Sequence, residues 1–339
     1  MDMEKKRWEY LDAMRGLAIL LVVVGHLMIR FGISGYGNVL WTIIISVHLP
    51  IFFFISGYLG SKSLNFEQLG GKCSQLILPG FLFFVLYFLS FGGNPMSFLK
   101  YGFQEYWFTF VLFEMFLIYF ICDKVFRRYK YVLMIGLSLV GVAYLSMPSL
   151  RGARIDTVLC LENLAKYFQF FTLGMLCKEY SGKLLQWLQK DWVKGGLLMG
   201  YAASLWLCFN GNFEQQFSLA YKLNHDLALR YIGVFVIFSF FIHKAEFFQS
   251  GNVLGKSLTF VGKRTLDIYL IHYFLLPTGI LLPECLKSNS VWYVQLLILL
   301  LSSVVIIAGS LMISELIRLS PTLSGLLLGT RNRKKPSSK

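Results

Sequence analysis

The chain has 339 residues, of which 56% are hydrophobic and only 15% charged, where an ordinary soluble domain carries about a quarter charged residues. With 32 phenylalanines and a mean hydropathy of +0.61, it holds more apolar surface than the cores of two globular domains can hide, which excludes a soluble enzyme. The net charge of +14 sits in short basic stretches between apolar runs, the pattern of membrane topology and not of nucleic-acid binding.

A hydrocarbon core of roughly 30 Å is crossed by about 20 helical residues. Cut on that ruler, the sequence gives ten expected helices, at about 11–30, 39–60, 73–92, 106–122, 131–148, 157–177, 195–209, 229–243, 264–282 and 291–317. The first follows Lys5, Lys6 and Arg7 and runs past Met28 without a small-residue cleavage site, so it reads as an uncleaved span and not a signal peptide. The runs are long and continuously apolar, with no ten-residue alternation, and therefore read as helices and not barrel strands. The expected fold is an all-α integral membrane protein, a bundle of about ten transmembrane helices over residues 1–317 with a basic cytoplasmic tail at 318–339.

With the N-terminus inside, 23 of the 32 lysines and arginines fall in inner segments and 7 in outer ones. That excess predicts a cytoplasmic-membrane protein with both termini in the cytoplasm. Within the inner segment from Lys178 to Lys194, Leu184, Leu185, Leu188 and Trp192 recur at helical spacing among lysines. This is the pattern of an amphipathic helix along the interface, with an ordinary solvated loop as the alternative. Six cysteines lack any metal-binding or disulfide spacing and read as packing residues.

An ionisable side chain inside a span costs about 2.5 to 3.5 kcal/mol on insertion scales and marks a functional candidate by default. The first span carries Asp12, Arg15 and His26, the second His48, the fourth Glu114, the sixth Glu162 and Lys166, and the ninth Asp267 and His272. Arg15 and His26 are eleven residues apart, and eleven helical steps end about 20° past three full turns, so the two share a face. The imidazole is a proton carrier near neutral pH, whereas arginine keeps its charge and suits phosphate. Read singly, Arg15 is as well explained by snorkelling with Asp12 as partner, and a lone intramembrane histidine by packing. Glu162 and Lys166 have the spacing of an internal ion pair. His225 and His243 receive no role.

The same residues carry a family resemblance. The run Leu11-Asp12-Ala13-Met14-Arg15-Gly16-Leu17-Ala18-Ile19-Leu20, ending in Gly25-His26, resembles the opening of the acyltransferase family 3 membrane proteins, with its arginine, ten residues and histidine. His48-Leu49-Pro50 followed by Ile51-Phe52-Phe53-Phe54-Ile55-Ser56-Gly57-Tyr58-Leu59 resembles that family's second helix. Trp107-Phe108 is similar to the start of its fourth, Phe170-Phe171-Thr172-Leu173-Gly174-Met175 to its sixth, and Gly262 to His272 to its ninth. The likeness runs from about residue 7 to 315. One departure lies after Lys72, where the family often has further arginines and this chain has Cys73-Ser74-Gln75.

The resemblance implies a multi-pass enzyme that takes an acyl group, commonly acetyl, from cytoplasmic acyl-CoA and places it on a hydroxyl of a carbohydrate or glycolipid. Acyl-CoA is then a substrate, and neither a bound cofactor nor a metal is expected. His26 is the candidate base, and Arg15 the group that binds donor phosphate or orients the site. His48, Glu114, His272 and Asp12 are candidates to orient His26 or bind the acceptor, and Lys263 with Arg264 to meet donor phosphates. Further partners are the bilayer and a second copy of the chain. The alternative is a transporter or channel whose buried His, Glu and Arg residues carry protons or a polar solute.

Overall fold

The structure is a computed structural model that describes residues 9–35, 37–60, 63–91, 102–147, 154–249 and 252–330. The basic residues Lys5, Lys6 and Arg7, and the tail from Arg331 to Lys339, lie outside the described residues. Every regular element among the described residues is helical. The main helices are α1 (Glu9–Arg30), α2 (Val39–Gly60), α3 (Phe66–Ser90), α4 (Trp107–Val125), α5 (Lys130–Leu145) and α6 (Leu161–Glu179). They continue as α7 (Asp191–Cys208), α8 (Leu229–His243), α9 (Val253–Lys263), α10 (Thr265–Ile271), α11 (Trp292–Arg318) and α12 (Pro321–Leu328), with shorter helical turns between them.

Among the described residues, five helical runs are long and apolar enough to cross a membrane: α1, α2, α3, Ser218–His243 and α11. They meet the first, second, third, eighth and tenth expected spans. The full ten-span bundle is not reached on this criterion, and α5 is a shorter apolar helix. α3 begins seven residues before its expected start because Asn65 and Gln68 form a capping box. The Asn65 side chain accepts from the Gln68 amide at 2.7 Å, and the Gln68 side chain from the Asn65 amide at 3.0 Å.

The expected ninth span, 264–282, is not one helix. α9 ends at Lys263, α10 holds only Thr265–Ile271, and a 3-10 turn at His272–Phe274 closes it. Beyond that turn Pro277 and Pro283 have no backbone N–H to donate and disfavour helical conformation in the residues before them. Gly279, at φ +73, lies in the left-handed region. Residues 264–282 therefore contain a break, a short helix and an irregular return.

The predicted amphipathic helix forms at Ser181–Leu188. Leu188 is buried, Leu184 and Leu185 are half-buried, and Lys183 and Trp187 are exposed. Trp192 belongs to α7 and is 67% exposed, so it does not extend that apolar stripe. In the segment after α11, Ser320 caps α12, Pro321 opens it, and Gly329 ends it in the left-handed conformation.

The chain divides into two compact units, the first formed by Met1–Leu59, Leu173–Thr265 and Leu276–Ile307, the second by Gly60–Thr172, Leu266–Leu275 and Ala308–Lys339. In the second, Gly80 of α3 lies against the Thr109 hydroxyl of α4. Asp123 accepts from Ser63 Oγ at 2.6 Å and Lys130 Nζ at 2.9 Å.

In the first unit α8 packs on α7 and α1, and Phe54 meets Phe238 edge-on with ring centroids 4.9 Å apart. The closest approach there is between α1 and α9, where Gly262 faces the Asp12 carbonyl and Gly16 faces the Leu258 carbonyl. A Cβ at Gly262 would overlap backbone, which cannot swing aside as a side chain can. Gly262→Ala is expected to destabilise the protein by about 1 to 3 kcal/mol, the usual range for overpacking, seen as a lower Tm in detergent. Gly70→Ala, in a helical position with open space around it, should leave Tm unchanged or raise it. Equal Tm values for Gly262→Ala and wild type would contradict this close approach.

Candidate active site

α1 runs without interruption from Glu9 to Arg30, so Arg15 and His26 do share a face, separated by about 16 Å along the axis. Near the N-terminal end of that face, Arg15 Nη1 donates to Asp12 Oδ1 at 3.3 Å, with the two side chains 30% and 19% exposed. A single long contact occupies one arm of the guanidinium fork. The glycine contact between α1 and α9 brings the end of α9 to this point. Lys263, the last residue of α9, interacts electrostatically with Asp12, and Arg264 is the capping residue that follows. Asp12, Arg15, Lys263 and Arg264 thus gather at one end of α1, and three of the four are cationic. Such a cluster attracts an anion, and its fork can grip a phosphate through two parallel hydrogen bonds.

Farther along α1, His26 is half-buried and follows Gly25, which lies against Ile44 of α2, a Cβ there standing 3.6 Å from Ile44 Cγ2. The Ile44 carbonyl in turn takes a hydrogen bond from His48 Nδ1 at 2.7 Å. The two histidines therefore flank one contact between α1 and α2. Because a carbonyl only accepts, His48 carries its proton on Nδ1, and Nε2 is the basic nitrogen.

Glu114 and His272 belong to the second unit. Glu114 Oε2, on α4, is buried and has no hydrogen-bond partner among the described residues. A buried acceptor left in that state costs about 1 to 3 kcal/mol, a cost that a ligand hydroxyl or a proton would remove. His272 is fully buried on the 3-10 turn after α10, its Nδ1 within 3.0 Å of the Ile268 carbonyl and 2.8 Å of the Tyr269 carbonyl. That fixes the proton on Nδ1 and makes Nε2 the accepting nitrogen. Its ring lies 4.0 Å from that of Tyr273, and Tyr106 anchors the end of α10, just before the turn, by donating to the Leu270 carbonyl at 3.2 Å.

Asp267 has a structural role. It accepts from Ser314 Oγ at 2.6 Å and Arg318 Nη2 at 2.5 Å, which ties α10 to the end of α11. Lys72 rests over the Phe116 ring at 3.6 Å, a cation–π contact. Reading the sequence did not single out the polar cavity of about 240 Å³ at the starts of α4 and α6, whose walls include Gln104, Trp107, Asp156, Cys160 and Glu162. Its residues come from two segments, 103–107 and 156–163, that lie far apart in the chain, and no local spacing announces it.

A family model described as an acyltransferase domain matches residues 8–315. Comparison with curated proteins and with solved structures finds no match to this chain.

Proposed function

Because the chain belongs to the acyltransferase 3 family, and so is a membrane acyltransferase, we propose that it moves an acyl group, in the first place acetyl, from acyl-CoA to a hydroxyl of a carbohydrate or glycolipid. The observation that carries this reading is the shared face of α1, with the cationic cluster of Arg15, Lys263 and Arg264 at one end and His26 about 16 Å along. A molecule with phosphates at one end of a long flexible arm and a thioester at the other can span that separation.

In this reading the cationic cluster binds the donor phosphates and His26 works at the thioester. His26 takes the proton of the acceptor hydroxyl as its oxygen forms a bond to the acyl carbon; the carbon–sulfur bond breaks, and the thiolate leaves and is protonated. An acyl-histidine intermediate would use the same residue as nucleophile. His48, in the same unit as His26, orients the base or holds an acceptor hydroxyl. The cytoplasmic membrane, with both termini inside, is the proposed location, since that places the donor cluster on the side where acyl-CoA is made.

The test is to incubate purified protein in detergent with acetyl-CoA carrying a radiolabelled acetyl group and with the surface-glycan fraction of the producing cells. Label is expected on the glycan, released by mild alkali as an ester. Label that stays on CoA, with the protein conducting protons or solute in vesicles, would favour a transporter.

A further inference from the structure

The first unit holds a second polar constellation, around a histidine to which no role has been given. His225 is 6% exposed, and its Nδ1 donates to Asp226 Oδ1 at 3.0 Å. The same oxygen accepts from Nη2 of Arg230 at 3.1 Å, and Arg230 is 3% exposed. The Tyr221 ring lies nearly parallel to the imidazole, 6.4 Å away at 18°. These residues sit at a π turn, Asn224–Ala228, within the helical run that leads into α8. Such turns give poorer backbone hydrogen bonding and occur often at functional sites. Here the turn is held to α7 by a reciprocal pair, Ser204 Oγ donating to Asn224 Oδ1 at 2.6 Å and Asn224 Nδ2 donating to the Ser204 carbonyl at 2.9 Å.

His225 and Asp226 line a cavity of about 510 Å³ whose walls also include Gly37, Glu214, Tyr221 and Lys222. Glu214 and Lys222 are exposed. The chemistry of the walls selects among ligand classes. Asp226 is paired with Arg230, which leaves the Glu214 carboxylate and the Lys222 ammonium, beside Cys208 and Phe209, as the other walls. With no net positive charge the cavity does not favour a phosphate, and its charged rim disfavours an acyl chain. Carboxylates that accept, an ammonium that donates, an imidazole that accepts through Nε2 once Nδ1 is committed to Asp226, and a tyrosine face together suit a neutral ligand with many hydroxyls. Gly37 lies in the connection after α1 and Lys222 in the one between the seventh and eighth expected spans. The Lys/Arg count assigns both connections to the outer side, where a surface glycan is met.

We propose that this cavity is the binding site for sugar residues of the acceptor, with Glu214, Lys222, His225 and Asp226 as its hydrogen-bonding groups. The inference rests on the proposed transfer to a carbohydrate and gives that acceptor a location.

The test uses full-length protein in detergent with the solubilised surface-glycan fraction as probe, binding being measured by equilibrium dialysis. Glu214→Gln and Lys222→Ala change exposed side chains and should leave Tm at the wild-type value. Each is expected to weaken glycan binding about tenfold, the loss of one hydrogen bond to a charged group. KM for the glycan should rise, while acetyl-CoA affinity and thiol release without acceptor stay unchanged. His225→Gln, checked for unaltered Tm, should do the same. Wild-type glycan affinity in all three variants overturns the proposal. That outcome is separate from failure of the transfer reading, which would show as no acyl transfer by the wild-type protein whatever its glycan affinity.

Discussion

His26→Ala is expected to lower acyl transfer at least about a hundredfold, the lower range for loss of general acid–base catalysis, while expression, membrane insertion and Tm stay at wild-type values. The prediction follows from where His26 sits. It is half-buried in the middle of an unbroken helix whose packing is carried by neighbours such as Ile19, Val23, Val24 and Leu27, each at most 1% exposed. Alanine is the stronger helix former, so losing the ring leaves α1 intact and removes the proton-accepting nitrogen. His26→Gln keeps similar length and polarity but has no basic nitrogen, and should be equally inactive. A packing histidine would behave in the opposite way: lower Tm in the alanine variant and rescue by glutamine. Near wild-type glycan acylation in either variant would end the assignment of His26 as base.

Arg15 has the second largest expected effect. Arg15→Ala removes one of the two guanidinium forks in the cluster with Asp12, Lys263 and Arg264, the one carried on the face of α1 that holds His26, and should weaken acetyl-CoA binding by more than about tenfold in calorimetry, with acceptor affinity unchanged. Arg15→Lys keeps the charge without the planar fork and should fall between alanine and wild type. The competing account makes Arg15 the counterion of Asp12 alone, as their 3.3 Å contact allows. Under that account the double variant Asp12→Asn, Arg15→Gln would regain activity, since neither charge then needs the other. We expect no recovery. Unchanged acetyl-CoA affinity in Arg15→Ala, with activity lost, would remove the donor from this end of α1.

The parts of the fold that local sequence controls were the legible ones. A continuous apolar run and a helix coincide where no glycine or proline intervenes, as in α1 and α11, and the face shared by Arg15 and His26 follows from helical geometry once α1 is unbroken. The ninth expected span does not form because Pro277 and Gly279 interrupt the apolar run, and the backbone constraints they impose outweigh its hydropathy. The capping box of α3 was likewise present as Asn65-Phe66-Glu67-Gln68. Other features had no local signal. Gly262 meets the Asp12 carbonyl across 250 positions of chain, and it is this contact that carries Lys263 to the arginine. His225 looked like a loop histidine because the π turn that seats it beside Asp226 depends on the Asn224 pair with Ser204 in α7. The buried state of Glu114 and the fixed tautomer of His272 likewise arise only from packing.

The central claim is that this chain esterifies a glycan and that His26 performs the chemistry. Mass spectrometry of surface glycans addresses it directly, in cells lacking the gene and in the same cells carrying either the wild-type gene or His26→Ala. An acyl mass increment, removable by mild alkali, should appear with the wild-type gene and be absent from the deletion and from His26→Ala at equal protein level. Identical glycan masses in all three strains, or full acylation by His26→Ala, would contradict the account.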